Sequence, residues 1–199
     1  MSLPALRFKD DDGQEFPAFE INILAEVSDV RDGTHDSPKY HPQGYPLITS
    51  KNLLEIGEID LENVNLISNA DFNSINKRSK VDIGDILFGM IGTIGNPVMV
   101  KSASFAIKNV ALIKQKKKLQ NIFLVQYLKS HALLKQFDSV TVGNTQKFIA
   151  LGKLRQLQIQ IPCLSEQTKI ANFLTAVDEK ISLLTQKHDL LTQYKKGVM

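Results

Sequence analysis

Gln156-Leu157-Gln158-Ile159-Gln160-Ile161-Pro162-Cys163-Leu164-Ser165-Glu166-Gln167 holds a change of period. Leu157, Ile159 and Ile161 alternate with Gln156, Gln158 and Gln160, the period of two expected of a strand with one wet face. Pro162 cannot donate to a ladder and stops it. Ser165 suits an N-cap, with Glu166 and Gln167 in the first helical turn. Then Ile170, Leu174, Val177, Ile181, Leu184, His188, Leu191, Lys195 and Val198 follow four-three spacing, a seam of about four heptads. A helix from Ser165 to Lys196 rises about 48 Å. The chain therefore divides into a globular domain over residues 1–162 and a long helix over 163–199. A domain this small cannot cover such a helix along its length, so the seam expects a partner helix. The alternative is an amphipathic helix folded back on its own domain, against which length and strict register count. His188 and Lys195 occupy seam positions where polar groups fix register or orientation.

Upstream, the pattern predicts short elements of both kinds. Residues 20–30 mix helix and strand signals, and residues 31–44, rich in Gly, Pro, Asp and His, predict a long ordered loop. Strands are expected at Tyr45–Thr49, Ile83–Phe88, Val98–Val100, Val110–Ile113 and Val140–Val142. Asn121–Phe137 predicts one helix, with Phe123, Tyr127, Leu128, Leu134 and Phe137 on its apolar side. The expected class is α+β: a mixed or antiparallel sheet with short helices, followed by the long C-terminal helix.

Of the 199 residues, 43% are apolar and 23% charged, as in a globular chain. Cys163 is the single cysteine, so no intrachain disulfide can form, which fits a reducing cytoplasm. No apolar run approaches the roughly 20 residues of a spanning helix, and the N-terminus has no apolar signal core. The net charge of +3 conceals a segregation. Residues 1–85 carry 8 Lys and Arg against 16 Asp and Glu, whereas residues 86–165 carry 11 against Asp138 alone. Such a basic block attracts a polyanion through counterion release. A solvated lysine-rich face is the plainer alternative.

The motifs exclude more chemistry than they support. Gly89-Met90-Ile91-Gly92-Thr93-Ile94-Gly95 lacks the Gly-Lys-Ser/Thr ending of a phosphate loop. It reads instead as a tight turn that brings backbone close to a ligand or to DNA. Asp29, Asp32, His35, Asp36 and His41 match no established metal-ligand spacing, and a loop capped by its own side chains is the better reading. Asp178-Glu179-Lys180 imitates half of a nuclease triplet but lies inside the heptad helix. No catalytic residue can be nominated. Gly143-Asn144-Thr145-Gln146-Lys147, inside the basic block, is either a polar turn or a base reader. Asn and Gln can bond adenine in a bidentate way, and Lys suits guanine or phosphate. Lys101, Lys108, Lys114, Lys116, Lys117 and Lys118 are the candidate phosphate anchors.

Four pieces of the sequence resemble the specificity subunit of type I restriction–modification systems. Asp32-Gly33-Thr34-His35-Asp36-Ser37-Pro38 is similar to its D-G-T-H-x-x-P loop, Gly92-Thr93-Ile94-Gly95 to its mid-domain turn, and Gly143-Asn144-Thr145-Gln146 to its G-x-T/S-Q segment. Ile161-Pro162-x-Leu164-x-Glu166-Gln167-x-x-Ile170-Ala171-x-Phe173-Leu174 is similar to the boundary where a target-recognition domain passes into a spacer helix. The resemblance implies a non-catalytic protein that binds one half of a split site in double-stranded DNA. It adds Thr34, His35, Gly92 and Thr93 to the candidate DNA contacts. It also implies docking to methyltransferase and restriction subunits, with S-adenosylmethionine on the methyltransferase and no cofactor in this chain. A usual subunit carries two recognition domains and two spacer helices; this sequence carries one of each. That implies either a homodimer joined through antiparallel helices or a piece of a longer subunit. The rival expectation is a coiled-coil adaptor whose basic surface is incidental.

Overall fold

The computed structural model describes residues 7–140 and 148–198. In chain order its elements are β1 (Glu20–Ile23), α1 (Leu24–Val27), β2 (Ser28–Asp32), β3 (Tyr40–His41), β4 (Tyr45–Ile48), a 3-10 turn (Ser50–Asn52), β5 (Asn65–Ile67), α2 (Asn69–Ser79), β6 (Ile86–Gly89), β7 (Gly95–Met99), β8 (Ala106–Ile107), β9 (Val110–Gln115), α3 (Asn121–Leu128), α4 (His131–Val140), α5 (Leu151–Arg155), β10 (Gln158–Ile161) and α6 (Leu164–Val198). The predicted α+β class holds. The central antiparallel sheet runs β2-β9-β6-β7; a second, mixed sheet runs β3-β5-β4-β8; β1 and β10 form an antiparallel pair.

The central sheet is buried on both faces. Ile86, Phe88, Ala111 and Ile113 face α3, α4 and the root of α6. The intervening Leu87, Val110 and Leu112 face Ile48, Phe105 and Ile107 of the second layer. This is why Val110-Ala111-Leu112-Ile113 is an unbroken apolar run: neither face meets water. Helix α2 covers the smaller sheet, with Phe72 stacked on Tyr45 at 4.0 Å between ring centroids.

Several expectations need correction. The helix expected over 121–137 is two helices broken at Lys129-Ser130, where the amides of both residues donate to carbonyls one turn back. The break rotates the second apolar face: Leu133 is fully buried and Leu134 is 48% exposed. Val140 ends α4 and is not in a strand; Thr141 and Val142 lie outside the described residues. Ile83 is exposed in the turn that precedes β6, not in the strand. Gln160 is buried, and its amide donates to the Tyr127 hydroxyl, so this end of β10 has no wet face. Ser165 is not the cap: α6 begins at Leu164, and the Gln167 amide donates to the Cys163 carbonyl. Helix α2 was not expected at all. Ser68 caps it, accepting from the Asp71 amide, but few of its residues are apolar.

The root of α6 is clasped by the domain. Glu166 is fully buried and accepts from Arg7 Nε (2.8 Å), Arg7 Nη2 (3.2 Å) and the Phe8 amide (3.2 Å). Gln167, also fully buried, accepts from the Gln120 amide and donates to the Lys118 and Pro162 carbonyls. Lys169 holds Asp11 at 2.6 Å, and Phe8 meets Phe173 edge-on. Among the described residues the last tie to the domain is at Asp178, reached by Gln126 and Lys129, and the helix beyond it is largely exposed. Of the seam, Ile170 and Leu174 pack on the domain's own core, whereas Ile181, Leu184 and Leu191 are each more than half exposed. The exposed part of the seam is thus shorter than the heptad pattern suggests, because its first turns complete the core.

Two stability outcomes follow. Leu133→Ala should cost about 2–5 kcal/mol, as for a fully buried leucine, and Leu134→Ala no more than about 0.5 kcal/mol; equal costs in urea denaturation would contradict the break at Lys129. Arg7→Met leaves the Glu166 carboxylate buried without its cation. It should cost about 3 kcal/mol, the low end for a broken buried pair because Arg7 is partly exposed.

Candidate nucleic-acid interface

The central sheet has two ends, and they divide the predicted residues. Strand β9 runs from Val110, opposite Gly89 and one residue from the Asp32 partner Ala111, to Gln115, opposite Ser28. Its six residues span about 17 Å.

At the Val110 end three loops meet. Gly33 donates to the Val110 carbonyl and Thr34 to the Ile107 carbonyl. A Cβ on Gly33 would lie 2.2 Å from that same Ile107 oxygen, so only glycine lets the Asp32–Pro38 loop approach β8 so closely. Lys108 Nζ donates to Ser37 Oγ at 2.7 Å, and its amide donates to the Ile48 carbonyl, which places the 3-10 turn and exposed Lys51 alongside. Ser50 Oγ accepts from the Met90 and Ile91 amides, drawing in the β6–β7 hairpin with Gly92 and Thr93 exposed at its tip. Ile91 in turn pairs with Phe148. Asn144, Thr145, Gln146 and Lys147 lie outside the described residues, but Phe148, the residue after them, is anchored on this hairpin.

His35 sits in the middle of this edge. Its Nδ1 is 2.7 Å from Asn109 Oδ1 and its Nε2 is 2.8 Å from Asp32 Oδ2. Arg78, in the last turn of α2, donates to Asp32 Oδ1 at 2.7 Å and to the Gly33 carbonyl at 2.9 Å. The bond to Asn109 first, then the bond to Asp32, raises the imidazole above its ordinary value, against partial burial and the Arg78 charge. Asp29, which the sequence places near these residues, is paired with Arg31 at 2.6 Å.

The remaining lysines are elsewhere. Lys114 bridges Asp82 (2.8 Å) and Asp85 (2.6 Å) and is only 18% exposed. Burial pushes its pKa down, but the two carboxylates outweigh that and hold it raised. Lys116 donates to the Ala25 carbonyl, and Lys118 to Glu20 and Asn22, at the helix-root end. Lys117 is exposed there, and Lys101 lies 3.8 Å from Glu58. Much of the basic block is therefore spent on the acidic stretch 1–85, which sequence position alone could not reveal. Sequence reasoning missed Ser50, Lys51, Arg78 and Asn109. The legible signal was Lys108-Asn109 between two apolar runs: Asn tolerates the left-handed conformation, and Asn109 has φ 54°.

Because the folded-state value of His35 is raised, its pairing contributes stability that is complete below about pH 6.5, the unfolded value, and is lost as pH rises through the raised value. The melting temperature should fall across that window, and His35→Gln should flatten the fall. An identical profile in the variant would contradict the assignment.

Comparison with known proteins gives one answer. The family model for the type I restriction modification DNA specificity domain matches residues 7–193. A putative type I restriction enzyme MjaX specificity subunit from Methanocaldococcus jannaschii is 26% identical over 204 residues, covering 96% of this chain and 47% of that protein. The MjaVIII specificity subunit of the same organism is 25% identical over 118 residues, 58% of this chain and 26% of that protein. Among solved structures, the S subunit of a type I restriction-modification system from M. genitalium superposes with a TM-score of 0.64 at 17% identity, over 93% of this chain and 44% of that one. The HsdS subunit from Thermoanaerobacter tengcongensis gives 0.61 at 18% identity, over 86% and 40%. The chain thus spans about half the length of the first relative or less than half of the others. With its fold shared and 187 of its residues, 7–193, inside the family model, the chain belongs to the type I restriction modification DNA specificity domain family.

Proposed function

We propose that this chain is a non-catalytic DNA-specificity module that reads one half of a split site and is held at a fixed distance from a second reader by α6. The observation that carries the reading is the convergence of Thr34, His35, Gly92, Thr93 and Lys108 on one sheet end, beside Lys51 and the anchor of the Asn144–Lys147 segment. Lys51 and Lys108 supply phosphate contacts, and Asn144, Thr145, Gln146 and Lys147 supply base readout. Lys101, Lys116, Lys117 and Lys118, at the far end, are left to a flanking or partner surface, and Lys114 to the fold.

The exposed seam from Val177 supports pairing with a second helix, antiparallel in a homodimer or in a longer chain. Leu183, Leu190 and Tyr194, each more than 60% exposed, lie off that seam and support a second contact. We assign that face to a methyltransferase subunit, which would carry S-adenosylmethionine, with the restriction subunit joining the same assembly. Among the described residues no helix is long and apolar enough to cross a membrane, and a cytoplasmic setting fits a DNA target.

Binding to duplex DNA should weaken steeply with salt, and Lys51→Gln should reduce the log–log slope by about 0.9; a flat response would contradict phosphate anchoring. Thr145→Ala and Gln146→Ala should each cost about 1–3 kcal/mol and relax specificity. Light scattering should give the mass of two chains, and Leu184→Glu that of one. A dimer with no DNA affinity, with or without a methyltransferase, would favour the adaptor reading.

A further inference from the structure

A continuous run of hydrogen bonds crosses the proposed DNA-reading edge from the hairpin to α2. It starts at Ser50, which is 4% exposed. Its hydroxyl accepts from the Met90 amide (3.2 Å) and the Ile91 amide (3.4 Å) and donates to the Asn109 carbonyl (3.3 Å). One proton and two lone pairs are thereby all used. Asn109 continues the run. Its amide donates to the Thr34 carbonyl at 3.1 Å, and its Oδ1 meets His35 Nδ1. His35 then meets Asp32, and Asp32 meets Arg78.

This run joins loops that the sheet leaves apart. Strands β2 and β6 are not neighbours; β9 lies between them. The β2–β9 ladder ends at Asp32 and the β6–β9 ladder at Gly89, so the loops beyond are outside both. Ser50 bridges that gap from a third element. The hairpin is pressed onto it: a Cβ on Gly89 would lie 2.3 Å from the Thr93 oxygen and 3.3 Å from Ser50 Cβ.

Resting on the DNA reading above, we infer that Ser50 and Asn109 are positioning residues that lock the Asp32–Pro38 loop and the Gly89–Gly95 hairpin at one mutual distance, and so determine which bases can be read together. Ser50 is too buried to read a base itself. Its effect is exerted through the loops, whose placement must hold to about 0.5 Å for hydrogen-bond readout to discriminate.

Hydrogen exchange on the 199-residue chain and selection from a randomised duplex pool test this together. In Ser50→Ala the Met90 and Ile91 amides should exchange about fivefold faster, as expected for one lost hydrogen bond, and residues 34–36 should loosen with them. In Asn109→Gly, which keeps the left-handed backbone, residues 34–36 should loosen while Met90 and Ile91 stay protected. Both variants should retain the wild-type melting profile within a few degrees and the wild-type affinity for non-specific duplex, yet enrich a broader set of sequences. Unchanged exchange at 34–36 in Ser50→Ala, or wild-type sequence preference in both variants, overturns the inference. A wild-type chain that enriches no sequence, either alone or with a methyltransferase, overturns the DNA reading instead, and the exchange result then decides the lock alone.

Discussion

Glu166 and Gln167 are polar side chains with no solvent exposure, and burial of that kind is tolerated only when every donor and acceptor finds a partner. Here the partners come from three different places: the N-terminal arm through Arg7 and Phe8, the β9–α3 connection through Lys118 and Gln120, and the end of β10 through Pro162. Two consecutive residues thus fix the long helix to the domain at its first turn. Ile170 and Ala171 then extend the core by one more turn. A helix of 35 residues, about 52 Å, leaves the domain in a direction set within its first few residues. Hydrophobic burial alone is non-directional and could not set it.

The same joint sets the helix apart from the loop edge. The central sheet lies between the helix root and the loop edge, and its both-sided burial makes it a rigid spacer between them. Basic side chains at the helix-root end are tied to acidic ones from the acidic stretch 1–85, as with Lys114 between Asp82 and Asp85 and Lys118 on Glu20. The segregation of charge along the chain is thus partly cancelled in space. Among the described residues, what remains without a carboxylate partner at the loop edge is a smaller set, led by Lys51, with Lys108 bound to the neutral Ser37 hydroxyl.

The period change at Pro162 and the heptad seam were legible because each repeats over many residues; a single misplaced side chain does not hide them. The same holds for the buried run at Val110–Ile113. The break between Leu128 and His131 was not legible, because no Gly or Pro marks it and the apolar spacing continues across it. Helix α2 escaped because its polar sequence shows no apolar stripe, and a cap at Ser68 is a weak signal alone. The loop edge was half legible. Gly33 and the Gly92 turn stand out as places where a backbone must come close. Ser50 and Asn109 do not, since their roles arise from partners 40 and 74 residues away. The roles of Glu166 and Gln167 were visible as a motif and invisible as a mechanism, because their partners lie up to 159 residues upstream.

If the clasped helix holds two readers apart, the separation of their half-sites is set by rigid matter and not by a tether. Binding should then be measured against duplexes carrying two copies of the selected half-site at separations stepped one base pair at a time. A sharp optimum is expected, with affinity falling on either side of it. Affinity that stays flat across the series would mean that the helix does not fix the distance between readers.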